Sequence, residues 1–183
     1  MATVVALLRG INVGRAKRVS MADLREVVTS LGHTDVRTVL QSGNVVFTAG
    51  RAGRAVDGGA AAALEQAVLD ATGVQASVLL VPADDLAAIA AANPLRDITT
   101  DASRGFVTFL SRPLEPALVP VPDVDVLAPE VLVVAERAVY QWCPDGALAT
   151  KVPPAWWRQL DQVVTTRNWR TVQRLVELSA PTP

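Results

Sequence analysis

The chain has 183 residues, half of them hydrophobic and 19% charged, with a formal net charge of −1. This composition supports a substantial core and excludes a disordered chain. Near neutrality excludes a global field that would draw in nucleic acid or an acidic membrane, so any such partner needs a local patch.

In chain order, Thr3–Leu8 is an unbroken apolar run and reads as a buried strand. Ser20 caps a helix with Asp23 at its third position. Leu24, Val27, Val28 and Leu31 form the buried stripe of that helix, and Gly32 stops it. Val36–Leu40 and Val45–Thr48 read as strands joined across Ser42-Gly43-Asn44, whose Gly and Asn tolerate positive φ. A Gly/Arg-rich stretch, Ala49–Gly59, has no periodicity and reads as a mobile loop. Leu64, Ala67, Val68 and Ala71 mark a second helix ending at Gly73, and Val74–Val81 is a fourth strand. The sum is β-α-β-β-α-β, the ferredoxin-like unit. A third helix opens at Pro82 with Asp84 and Asp85 in its first turn, and stops at Asn93-Pro94.

In the second half, Gly105–Leu110 is a strand. Pro113–Pro129 holds five prolines, which argue for extended segments. Val131–Ala135 and Ala138–Cys143 form a hairpin around Glu136-Arg137. Pro153-Pro154 starts a helix with Trp156, Leu160, Val163 and Val164 on one side, and a last helix begins near Asn168, ahead of a frayed tail at 180–183. The expectation is an α+β protein of two ferredoxin-like subdomains. Residues 1–93 form the first with a linking helix, and 94–183 a degenerate second copy. Each would have an antiparallel sheet with helices on one face.

Two strings carry polar chemistry at strand ends and helix starts. In the ferredoxin-like topology Arg9-Gly10-Ile11-Asn12 and Ser42-Gly43-Asn44 reach the same sheet end, beside the helix that Ser20 starts. Amides there, with Arg15, Lys17 and Arg18 nearby, suit an anion. The alternative is that Gly10, Gly14 and Gly43 serve only turns while Asn12 and Asn44 satisfy loop backbone. The other string is Thr165-Thr166-Arg167-Asn168-Trp169-Arg170. It sets Arg167 and Arg170 at a helix start, opposing the macrodipole by about 0.3–1 kcal/mol each. A bound anion or an internal carboxylate would relieve this. Asn168 is the expected N-cap, with Trp169, Val172 and Val176 turned inward.

Other chemistries find less support. Arg9–Gly14 fits neither the P-loop nor the dinucleotide fingerprint. Of the first and third strands only Phe47 offers an aromatic, so base-stacking RNA recognition is disfavoured. Asp84-Asp85 reads as helix N-terminal charge, and Asp123 with Asp125 as solvent-facing strand positions. Cys143, the sole cysteine, reads as a buried small hydrophobe. His33, the sole histidine, reads as a surface residue, and Lys151 as a solvated lysine. One Cys and one His exclude an intrachain disulfide and a His/Cys zinc site. With no leader and no membrane-length apolar run, a cytoplasmic protein is expected, without metal or cofactor.

The string Leu7–Gly14, with Met21 and Leu24, through Gln41-Ser42-Gly43-Asn44-Val45-Val46-Phe47, resembles the bacterial family called domain of unknown function 1697. So does Thr166-Arg167-Asn168-Trp169 with Thr171-Val172, and the resemblance runs essentially end to end. It implies two ferredoxin-like subdomains and no particular reaction. The chain departs at Arg15, where members often have Gly, and at Thr150-Lys151, where they often have Ser-Lys.

The leading expectation is a binding protein for a small phosphate- or carboxylate-bearing ligand, a nucleotide among the candidates, with nucleic acid not favoured. Arg9, Arg167 and the amides near Gly43 would hold it and Asn12, Asn44 and Asn168 would orient it, with Ser42 a further ligand-binding position of the same cleft. The rival is an interaction module in which these strings only lock the subdomains. An enzyme, using Asp161 or Cys143, is the third reading.

Overall fold

Residues 2–12, 18–50 and 58–180 are described by the structure, a computed structural model. The expectations for Val13, Gly14, Arg15 and Lys17, for the middle of the Gly/Arg-rich loop and for the last three residues lie outside the described residues. The chain builds two units, Met1–Ala88 with Arg174–Pro183, and Ile89–Gln173.

In the first unit, β1 (Thr3–Arg9) is the expected apolar run, and its five central residues are all buried. Alternation explains how: Val4, Ala6 and Leu8 join a cluster with the helices, while Val5 and Leu7 are buried on the opposite face. α1 (Met21–Ser30) is capped by Ser20, whose hydroxyl accepts from Asp23 N at 3.0 Å. It buries Leu24, Val27 and Val28, and the chain leaves it through Gly32 at φ +84°. β2 (Thr34–Val39) and β3 (Asn44–Thr48) form the hairpin. α2 (Gly58–Thr72) and β4 (Ser77–Pro82) complete the unit, and α3 (Ala83–Ala91) follows β4 directly. The sheet order is β2-β3-β1-β4, antiparallel throughout, which is the ferredoxin-like order.

The second unit repeats this plan. β5 (Gly105–Leu110) is central, β6 (Val131–Val134) and β7 (Ala138–Trp142) form a hairpin, and β8 (Val164–Asn168) takes the place of β4. Its sheet order is β6-β7-β5-β8, again antiparallel. The helices have shrunk. α4 (Val124–Leu127) and α5 (Pro154–Arg158) are single turns, and α6 (Trp169–Ser179) follows β8 directly. The fold is therefore α+β, with two ferredoxin-like subdomains.

Three local expectations need correction. The helix begun at Pro153-Pro154 ends at Arg158, because the chain turns through Asp161 at φ +45° and extends into β8. Arg167 therefore lies in a strand, opposite Val107, and not at a helix start. Asp123 is not a strand residue but the N-cap of α4, its carboxylate accepting from Asp125 N at 2.8 Å. Among the described residues no helix is long and apolar enough to cross a membrane.

Candidate functional site

In the first unit, the end of β1 and the β2–β3 turn meet as the topology requires: Leu8 N donates to Gly43 O at 2.8 Å. Gly43 is in the left-handed region, φ +73°, and a Cβ there would stand 2.7 Å from Ile11 Cδ1. The turn is thus packed directly on the loop that leaves β1. Asn12, also left-handed at φ +55°, holds that loop. Its Nδ2 donates to Gln41 O at 2.7 Å and Val19 O at 3.2 Å, and its Oδ1 accepts from Val19 N at 3.0 Å. Both amide hydrogens and the oxygen are engaged, so Asn12 ties β1's end to the β2–β3 turn and to the residue before the Ser20 cap. Asn44 is fully buried, and its Nδ2 donates to Val39 O at 3.0 Å and Ser42 Oγ at 2.9 Å. Around these fixed points Arg9, Arg18 and Ser42 are exposed.

The second string lies in the second unit. Asn168 Oδ1 accepts from Thr171 N at 2.9 Å and Thr171 Oγ1 at 2.7 Å, so Asn168 is the N-cap of α6. Arg167 is half-buried. Its Nη1 donates to Thr165 Oγ1 at 2.9 Å and Thr166 O at 2.8 Å, which fixes the guanidinium plane. Burial pulls its pKa down to about 10. The carboxylate that relieves the helix-start charge is Asp101, 3.8 Å from Arg170 Nη2. Both side chains are exposed, so that pair contributes little. The seven predicted residues thus fall into two groups. Arg9, Asn12, Ser42, Gly43 and Asn44 gather in the first unit, and Arg167 and Asn168 adjoin in the second.

One polar centre was missed by sequence reasoning. Glu130 is buried, 6% exposed, and its Oε1 accepts from Thr150 Oγ1 at 2.7 Å and from Gln141 Nε2. Its Oε2 accepts from Lys151 N at 2.7 Å. Cys143 Sγ lies 3.8 Å from Oε1. Burial first, and then the Glu130 carboxylate, push the Cys143 thiol up to about 12, which removes it as a nucleophile. The only hint in the sequence was an acid in an apolar run, Pro129-Glu130-Val131, beside a strand. Lys151 Nζ donates to Ala128 O. His33 is half-buried against Phe47, with ring centroids 4.4 Å apart, and Nδ1 accepts from Gly50 N at 3.2 Å.

Residues 1–140 match the family described as Protein of unknown function (DUF1697). The chain belongs to this family. The matched span takes in Arg9–Gly14 and Gln41–Phe47, whereas the string at 166–172 lies beyond it, short of the end-to-end resemblance expected. No curated protein matches the chain. Among solved structures it is similar to the conserved bacterial protein SP0830 from Streptococcus pneumoniae, at 25% identity and a TM-score of 0.68, covering 98% of this chain and 99% of that one.

Proposed function

We propose that this protein of the family binds a small anionic ligand bearing a phosphate or carboxylate, in the bacterial cytoplasm, with arginine as the group that meets it. The observation that carries this reading is the state of Arg167. Its guanidinium is partly stripped of water and already held in plane by Thr165 and Thr166. Such a group loses little further hydration or rotamer freedom when an anion arrives, and its fork matches two oxygens. Arg9, exposed at the end of β1 beside the rigid Asn12 loop, is the arginine the first unit offers for the same role. The asparagines then hold the loops that carry the arginines, rather than the ligand.

The test is a panel of inorganic phosphate, pyrophosphate, AMP, ATP, citrate and a short single-stranded RNA, read by thermal shift and calorimetry. A true ligand at a hundred times its Kd stabilises the fold by about 2.7 kcal/mol. Arg9→Gln and Arg167→Gln, tested separately, should show which guanidinium the response requires. A flat response across the panel in the native protein would sink the reading.

A second reading is favoured by the hydrogen bonds of Asn12, Asn44 and Asn168, each spent on its own unit. In that reading the signature strings are folding devices of an interaction module. Panel silence together with large stability losses in the asparagine variants would support it.

A further inference from the structure

We propose that the outer edge of β6, with the apolar cavity beside it, docks an extended segment of a partner protein that is both apolar and basic. β6 is the end strand of the second unit's sheet. Ala135 N donates to Ala138 O at 2.9 Å, which makes Val133/Tyr140 and Val131/Trp142 the hydrogen-bonded pairs of the hairpin. Leu132 and Val134 face Gln141 and Val139 across the alternate, non-bonded positions, so their own N–H and C=O groups turn to the outer edge. Such an edge is a template for a further strand.

Beside it lies a cavity of about 470 Å³ between α4 and β6, walled by Val121, Val124, Leu127, Pro129 and Leu132. The segment leading into it is unusually apolar at its surface: Leu118, Val124 and Val126 are 74%, 71% and 63% exposed. A strand added to β6 would send alternate side chains toward this cavity and cover those residues.

Charge decides the occupant. From Pro113 to Glu136 the sequence contains five acidic residues and no basic one, with exposed Arg112 and Arg137 at its two ends, so acidic residues outnumber basic ones from 112 to 137. Of the acidic residues, Glu115, Asp123, Asp125 and Glu136 are exposed. Lys151 is tied to Ala128 O at the cavity wall. A second copy of this chain pairing β6 to β6 would bring like charges together, which is unfavourable. An apolar peptide carrying Lys or Arg at alternate positions satisfies the edge, the cavity and the rim together.

The probe is a fluorescein-labelled peptide of alternating valine and lysine, titrated with the full chain and followed by anisotropy. Two further peptides serve as controls, one of alternating serine and lysine and one of alternating valine and glutamate. The expected result is saturable binding of the valine–lysine peptide alone, with slowed amide exchange at Leu132 and Val134. Glu115→Lys with Asp125→Lys, both exposed and outside the sheet, should weaken it by about tenfold or more. Equal binding of the serine–lysine or valine–glutamate peptide would overturn the proposal, as would unchanged affinity in the charge-reversed protein. So would no saturable binding at all, or a concentration-dependent dimer that excludes the peptide.

Discussion

At Asn12 a left-handed backbone and three side-chain hydrogen bonds coincide, and each has a cost if the residue is changed. Alanine at φ +55° is strained by about 1 kcal/mol, and losing the amide's grip on Val19 and Gln41 adds a similar amount or more. Asn12→Ala should therefore lower stability by roughly 2–3 kcal/mol in urea unfolding. Asn12→Gly should recover about 1 kcal/mol of that, since glycine accepts the backbone but not the bonds. If instead Asn12→Ala leaves the urea midpoint in place and removes a ligand response, Asn12 orients a ligand and the structural role assigned to it is wrong. The sequence made Asn12 conspicuous without showing its use. Its partners are the backbone of Val19 and Gln41, and backbone groups leave no mark in the residue code. Gly43 was more legible, because only glycine fits at φ +73° against Ile11 and Leu8.

Among the elements, legibility followed the strength of the periodic signal. β1, β5 and both hairpins are apolar or β-branched runs bounded by turn residues, and they stand where the sequence placed them. β8 escaped because Trp156, Leu160, Val163 and Val164 mimic helical spacing across a turn at Asp161, whose positive φ the sequence does not announce. The β-branched run Val163-Val164-Thr165-Thr166 was the available signal. Its payoff in the sheet is the cross-strand pair Thr108–Thr166, with hydroxyl oxygens 2.7 Å apart. Just beyond β8, Asn168 was read as a cap and is one. Asn168→Ala should cost about 1 kcal/mol, while Asn168→Asp should keep the cap and gain slightly from the helix dipole. Denaturant midpoints for the two variants check this; equal losses in both would mean that Asn168 acts by its amide nitrogen rather than as a capping acceptor. Glu130 shows the limit of such reading. An acid between proline and valine gives only a faint sign of burial, and it is the convergence of Gln141, Thr150 and the Lys151 amide that makes that burial tolerable.

For the molecule as a whole, pH dependence joins several buried and half-buried groups whose effects differ in sign. His33 has its pKa lowered by burial below 6.5, so the unfolded chain takes up a proton before the folded one does. Its contribution is present above about pH 6.5 and is lost as pH falls. Cys143 is raised from 9.0 to about 12, so the unfolded chain loses its proton first, and stability drains as pH rises from 9 toward 12. Tyr140, buried with its hydroxyl donating to Ile89 O at 2.8 Å, is raised from 10.0 to about 12 and adds to the loss above pH 10. Arg167, lowered from 12.5 to about 10, works the other way, since above pH 10 the folded state sheds a partly desolvated charge first. Between pH 9 and 10, then, Cys143 acts without Tyr140 or Arg167. The urea midpoint of the native protein should fall across that window. Cys143→Ala should start lower, because a buried side chain has been cut back, yet stay flat across the same window. Parallel falls in both proteins would show that the alkaline loss comes from elsewhere, and that Cys143 does not sit beside Glu130 in a dry interior.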